Sequence, residues 1–200
     1  MKLGLLDFKQ REIRDIVLST LVLAFAFSKF YDFLVSLFII SFAFVLHELG
    51  HRTAARKFGA FAEYRMWVFG LMLALLTAIL PGGIIFAAPG AVYFSPIVKK
   101  EFAWGVHRLT RKEIGLISLS GPAINLAMGF IFGALIPALP ELVWILYPAS
   151  RICLLLALFN LLPIAPLDGQ KILRWNALAW TAAMAAAVAG YLIIPMQFLL

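Results

Sequence analysis

Charged residues are scarce in this sequence of 200 residues. Only 14% of its residues are charged and 64% are hydrophobic, with a mean hydropathy of +0.98. A soluble domain averages about 25% charged and about 45–50% apolar residues. A soluble core of this size cannot enclose so much apolar surface, so lipid must cover part of it. The scarcity of charge therefore argues against a soluble domain and predicts an integral membrane protein.

Cysteine is nearly absent. The one cysteine, Cys153, lies in an apolar run, so no intramolecular disulfide can form and the thiol is predicted to be inert packing.

No small-residue cleavage site follows the charged N-terminus, which favours a retained first span over a signal peptide. The length allows a single domain, residues 1–200, without room for a second soluble one.

The basic residues cluster at the ends of apolar runs. The net charge of +7 could suggest nucleic acid as a partner, but this distribution indicates membrane topology instead. If the N-terminus is cytoplasmic, Lys29 and Arg151 alone among the 17 basic residues fall outside. We therefore expect a multi-pass protein of the cell membrane that contacts the lipid bilayer and does not bind nucleic acid.

The apolar runs predict an α-helical membrane protein with about six transmembrane helical segments, since a helix needs about 20 apolar residues to cross the hydrocarbon layer. No internal repeat is evident. It is left open whether the third segment spans the membrane or re-enters it. The predicted segments are Ile13–Phe30, Phe33–Lys57, Met66–Leu80, Ile114–Ala138, Arg151–Leu162 and Trp175–Leu200.

The stretch Ile84–Phe94 is predicted to form a small membrane-embedded β hairpin or sheet. Its β-branched and aromatic residues favour strand, and Pro89-Gly90 indicates a turn. A strand at membrane depth needs backbone partners from protein or from water in a cavity. We expect the stretch to hold an extended substrate; the alternative is a re-entrant loop that only packs against neighbouring helices.

One motif near the end of the second segment carries the chemistry. His47 and His51 are four residues apart on a predicted helix, so their imidazoles share a face and can converge on one metal ion. Glu48 lies on the shoulder of that face, within reach of a water on the metal. Ionisable groups inside a span usually mark function; the alternative is a polar helix end with idle histidines.

A catalytic zinc takes three protein ligands and keeps one position open. His107 lies in a basic loop, Cys153 lies deep in a span, and Glu63 would require the chain to double back. Asp168 remains, at a Pro-rich helix break on the cytoplasmic side. Its alternative role is that of a helix N-cap.

Three motifs together resemble the site-2 protease family of intramembrane zinc metalloproteases. They are His47-Glu48-x-x-His51, Gly121-Pro122-Ala123-x-Asn125, and Asn160-Leu161-Leu162-Pro163-x-x-Pro166-Leu167-Asp168-Gly169. The resemblance implies that His47, His51 and Asp168 bind one zinc ion per chain and that Glu48 is the general base. Gln170 departs from a second glycine common in the family. A PDZ insert is also missing, so the chain resembles a minimal, prokaryotic form.

The sequence assigns Asn125 two roles of about equal weight. An asparagine in hydrocarbon often bonds a neighbouring helix, and Gly129 and Gly133 on the same segment are spaced for close packing. The alternative is a catalytic amide that stabilises the oxyanion of a tetrahedral intermediate. For Asn160 we expect a structural role in shaping the Pro-rich break.

The predicted function is hydrolysis of peptide bonds in membrane-spanning substrate proteins. Zinc would activate a water, Glu48 would accept its proton, and the site would be accessible from the cytoplasmic side. The main alternative is a non-catalytic zinc-binding membrane protein or transporter, although transporters usually show internal repeats. A membrane zinc protease with glutamate as third ligand is the second alternative.

Overall fold

The computed structural model describes residues 8–81, 85, 86, 88–95, 97–99 and 106–196, with the backbone alone at 97–99, 106, 107, 195 and 196. This part of the chain forms seven α-helices and four short strands. The helices are α1 (Gln10–Phe27), α2 (Phe33–Lys57), α3 (Val68–Ile79), α4 (Arg111–Leu135), α5 (Val143–Asn160), α6 (Asp168–Trp175) and α7 (Ala177–Met196). The strands are β1 (Ala62–Met66), β2 (Gly90–Phe94), β3 (Ile97–Lys99) and β4 (Val106–Arg108).

Four described helices are long and apolar enough to cross a membrane, namely α2, α4, α5 and α7. Leu34, Ile79 and Leu178 are each more than 70% exposed, and apolar surface of this kind is what lipid covers. The helices thus indicate a membrane protein. The prediction of about six spans is not confirmed, because α1 begins with charged residues and α3 has only 12 residues.

Two predicted helix boundaries had different outcomes. Helix α2 has the predicted bounds because the Asp32 carboxylate caps it, accepting bonds from Leu34 N at 2.8 Å and Val35 N at 3.3 Å. Helix α5, however, does not begin at Arg151 but at Val143. Arg151 is tolerated mid-helix because its guanidinium lies 3.4 Å from the Tyr191 ring centroid and donates to the Tyr191 carbonyl at 2.6 Å.

The strand prediction is confirmed at Gly90–Phe94, but the predicted turn at Pro89-Gly90 is wrong. Gly90 begins β2, which pairs antiparallel with β1, a strand that the sequence did not predict. Ile84 lies outside the described residues. A second two-stranded sheet joins β3 and β4.

Helix α1 covers the outer edge of β1 with polar side chains. The Glu12 carboxylate accepts from Tyr64 N at 3.1 Å, and the Asp15 carboxylate accepts from Met66 N at 3.4 Å. The Tyr64 hydroxyl also donates to Ser19 Oγ at 2.9 Å. Glu12, Asp15 and Ser19 follow helical spacing, so they form one buried polar face. This face satisfies backbone donors that would otherwise be orphaned in an apolar setting.

Small residues bring α4 close to α5 and α7, as predicted. A Cβ on Gly129 would lie 2.6 Å from Leu154 Cγ, and one on Gly133 would lie 2.6 Å from Ile194 Cδ1. Cys153 is fully buried in the main hydrophobic core, which fits its predicted role in packing. The close contact of α4 with α5, and the contact of α2 with α4, bring the motif-bearing helices together.

Candidate metal centre

Three side chains converge between α2 and α6. His47 and His51 lie one turn apart, with their Nε2 atoms separated by 3.0 Å. Asp168 Oδ2 lies 2.9 Å from His51 Nε2 and 3.8 Å from His47 Nε2. All three residues are buried, and one ligand atom from each falls within 4.8 Å of the others. The group could therefore hold a metal ion.

Asp168 reaches the histidines because the chain breaks before α6. Leu167 occupies the N-cap position, so Asp168 is the first residue of the helix rather than its cap. The N-cap alternative for Asp168 is therefore wrong. Its carboxylate instead faces the two imidazoles on one side and Lys171 Nζ, 3.4 Å away, on the other.

The far nitrogens of both imidazoles have partners. His51 Nδ1 lies 2.8 Å from the Ile117 carbonyl oxygen, so Nδ1 carries the proton and donates it. That tautomer leaves Nε2 free to bind a metal. His47 Nδ1 lies 3.1 Å from Asn125 Nδ2, and Asn125 is fully buried. Two imidazoles held by outer partners and one carboxylate match the donor set of a catalytic zinc site, so these residues fit the ion.

Glu48 lies beside the convergent group. Its carboxylate accepts a hydrogen bond from the Val92 backbone N–H, while Oε2 is buried without a hydrogen-bond partner among the described residues. A cavity of about 230 Å³ is lined by Glu48, both histidines and Asp168. A buried carboxylate oxygen without a partner is costly, and a water in this cavity would satisfy it.

Gly121 leaves the space in which the histidines meet. A Cβ at this position would clash with His51 Nε2 and lie 2.8 Å from His47 Nε2. Gly121 therefore contributes to the site because its missing side chain leaves room for the two imidazoles. Gly121 belongs to one of the three sequence motifs, but its role in leaving this space was not predicted.

Two of the other candidate ligands, Glu63 and Cys153, lie apart from this group. The Glu63 carboxylate pairs with Lys9 Nζ at 2.8 Å, and this hydrogen bond lowers the pKa of Glu63. Cys153 is packed in the core. His107 lies in β4, and its side chain is outside the described part of the chain. Asn160 lines the cavity and donates to the Leu156 carbonyl at 3.0 Å, which fits its expected structural role at the end of α5.

Three further contributors to the site were not predicted from the sequence. Lys171 could have been predicted, because it follows Asp168 by three residues on a helix and so lies on the same face. The Ile117 carbonyl and the Val92 N–H could not, because every residue other than proline carries the same backbone groups.

The outer edge of β2 borders the cavity. Trp67 N donates to Pro89 O at 2.7 Å and Ser95 N donates to Phe61 O at 2.9 Å. Pro89 and Ser95 therefore direct their backbone groups towards the β1 side. Because this direction alternates from residue to residue in an antiparallel pair, the backbone groups of Gly90, Val92 and Phe94 point away from β1. These three residues line the cavity that contains Glu48. The outer edge of β2, which pairs with no other strand that the structure describes, thus lies next to the convergent histidines.

The chain is similar to proteins named as zinc metalloproteases. It is 39% identical over 201 residues to "Putative zinc metalloprotease MJ0611" of Methanocaldococcus jannaschii, across 97% of this chain and 99% of that protein. It is 33% identical over 135 residues to "Putative zinc metalloprotease Rip3" of Mycobacterium tuberculosis, across 64% of this chain but only 27% of Rip3. No family model matches the chain, and no solved structure matches it significantly. The extent of the first similarity shows that the chain belongs to the same family as MJ0611, a protein named as a putative zinc metalloprotease.

Proposed function

We propose that this protein is an intramembrane zinc metalloprotease of the site-2 type that cleaves membrane-spanning proteins. The observation that carries the proposal is the position of the His47, His51 and Asp168 group. Its two histidines lie on α2, a helix apolar enough to span a membrane, with a buried glutamate beside them. The names of the relatives supply the protease class.

His47, His51 and Asp168 would hold the zinc ion, one per chain. When bound, zinc supplies Lewis-acid chemistry that acidifies a water and polarises a carbonyl. Glu48 would accept the proton of the attacking water and later deliver it to the leaving nitrogen. The open Oε2 of Glu48 is available for that proton, while the bond from Val92 N–H holds the other side of the carboxylate.

The substrate must be extended at the scissile bond, because a helical peptide keeps its carbonyl in its own hydrogen bond. The outer edge of β2 would bind such a segment by strand addition. The edge carries the backbone groups of Gly90, Val92 and Phe94, all beside the cavity. Pairing here would place a substrate backbone next to Glu48.

Asn125 would act through His47. If His47 binds zinc through Nε2, its Nδ1 carries a proton and needs an acceptor. A turn of the Asn125 amide about its terminal bond would bring Oδ1 to Nδ1, and Oδ1 is otherwise buried without a partner among the described residues. This assignment makes Asn125 a positioning residue that orients a ligand.

Access to the site would be from the cytoplasm. The proposal rests on the distribution of Lys and Arg around the apolar helices, which favours a cytoplasmic N-terminus. Lys57 and Arg56 end the helix that carries the histidines, so the zinc would lie about one to two turns below that surface. Transmembrane protein substrates would reach the site from the bilayer.

A non-catalytic zinc-binding protein or transporter is the alternative function. It would use His47, His51 and Asp168 but has no need of a carboxylate with an open oxygen directed into the same cavity. The buried Glu48 therefore favours hydrolysis.

Replacing Glu48 by Gln tests the proposal. The amide keeps the size of the side chain and can still accept from Val92 N–H, but it cannot take a proton. Cleavage of a membrane-anchored reporter should fall by about 10²–10⁴-fold, while bound zinc, measured by metal analysis, stays near one per chain. Glu63→Gln removes a carboxylate away from the site and serves as the control. Unchanged cleavage by Glu48→Gln would rule out the mechanism.

A further inference from the structure

A second cavity, of about 410 Å³, lies where the first turn of α4 meets the last turns of α6. It is lined by Arg111, Ile114, Lys171, Arg174 and Trp175. We propose that this cavity binds the anionic headgroup of a membrane phospholipid.

The packing of two helices gathers the basic side chains. A Cβ on Gly115 would lie 2.5 Å from the Trp175 side chain, so the glycine lets the indole lie directly against α4. Arg111 precedes Gly115 by four residues and therefore lies on the same face of α4. Lys171 and Arg174 are three residues apart and share a face of α6. Three cationic side chains thus line the same cavity as the indole.

Among the described residues, the cavity has cations without matching anions. No carboxylate of the described part of the chain lines it. Arg111 and Arg174 make no hydrogen bond or ion pair with any residue that the structure describes. Lys171 is partly committed to Asp168, 3.4 Å away. A phosphate group would neutralise this cluster, because guanidinium groups bind phosphate oxygens in bidentate fashion.

The position of the cavity favours a lipid over a free anion. The spanning helix α4 begins at Arg111, and the spanning segment of α7 begins at Ala177, two residues after Trp175. The cavity therefore lies at a membrane surface, where tryptophan is enriched and where clustered Lys and Arg bind anionic headgroups. Ile114 and Trp175 provide an apolar wall for the glycerol and upper acyl carbons, which inorganic phosphate would not use.

Lipid binding to the purified protein tests this proposal. Native mass spectrometry would compare phosphatidylglycerol with phosphatidylcholine added to the protein in detergent. We expect preferential retention of one phosphatidylglycerol, weakened about tenfold or more in the double variant Arg111→Gln, Arg174→Gln. The double variant Arg108→Gln, Lys112→Gln is the matched control. It removes the same charge from exposed residues nearby that do not line the cavity. Zinc content reports on folding in both variants.

Three results would overturn the proposal. Equal weakening in both double variants would mean that only the general surface charge attracts the lipid. Complete competition by inorganic phosphate at the same concentration would assign the cavity to a free anion. A wild-type protein that retains phosphatidylcholine as well as phosphatidylglycerol would have no headgroup site. Selective weakening in the cavity variant, with little effect of phosphate, supports the lipid site.

Discussion

The Nε2 atom of His51 lies 2.9 Å from Oδ2 of Asp168, although α2 and α6 are far apart in the chain. This contact joins the helix that carries both histidines to the carboxylate that follows the Pro-rich break. Replacing Asp168 by Ala removes the carboxylate from a three-ligand set. We expect zinc affinity to fall by at least about tenfold, measured by competition with a chelating dye.

Glu63→Ala is the matched control for Asp168→Ala. Glu63 is also a buried carboxylate, but it pairs with Lys9 rather than with a histidine. Its removal should leave zinc affinity unchanged. Full zinc affinity in Asp168→Ala, together with loss in Glu63→Ala, would reverse the assignment of the third ligand.

Gly121→Ala should displace the metal without removing any ligand. The new methyl group would occupy the space between His47 and His51, whereas the backbone of α4 would gain helix propensity of about 1 kcal/mol. We predict loss of zinc binding in a protein that remains folded. Gly129→Ala also crowds a helix contact, but against Leu154 away from the site. It should lower stability and keep zinc. If Gly121→Ala retains zinc at wild-type affinity, the ion does not lie where the imidazoles meet.

Two substitutions at Asn125 separate its possible roles. Asn125→Ala removes the partner of His47 Nδ1, so zinc affinity should fall by about 10–100-fold. Asn125→Asp restores an acceptor but offers no N–H donor, so zinc affinity should recover. If Asn125→Asp binds zinc well and yet cleaves no reporter, the amide acts as a donor to the oxyanion and the positioning role is wrong.

Proline at Phe94 tests strand addition. The Phe94 N–H points away from β1, so proline removes a donor from the outer edge of β2 and leaves the β1–β2 bonds intact. Phe94→Ala loses the same side chain and keeps the donor. We expect Phe94→Pro to cleave the reporter far more slowly than Phe94→Ala, with zinc bound in both. Equal rates would exclude pairing of the substrate at this position. Val92 is less suitable, since its N–H also holds Glu48.

The sequence predicted local features well and long-range ones unevenly. The bounds of α2 follow from an Asp cap and an apolar run, both of which are local. Strand β1 was missed because Glu63 and Arg65 make it polar and its partner β2 is distant in the chain. The start of α5 was predicted wrongly at Arg151, because a charged residue was not expected within a span. The Tyr191 ring that accommodates Arg151 belongs to another helix and could not be foreseen.

The sequence predicted which three side chains converge as possible metal ligands, but not their surroundings. The spacing of His47 and His51 fixes their common face, and the break before Asp168 frees that carboxylate to turn inward. The resemblance to a known family supported the choice of Asp168. The bond from Val92 N–H to Glu48 depends on the register of β2, and no side-chain pattern encodes that register.

The N–H groups of Tyr64 and Met66 on β1 donate to Glu12 and Asp15, which leaves the β1–β2 sheet a single edge that can accept another strand. A sheet with two free edges can add strands on both sides and propagate from molecule to molecule. Here one edge is already closed by α1, so a strand can add only at β2. Two copies that met through their β2 edges would leave no edge of either β1–β2 sheet free, so growth of a fibre through this sheet would stop at that pair.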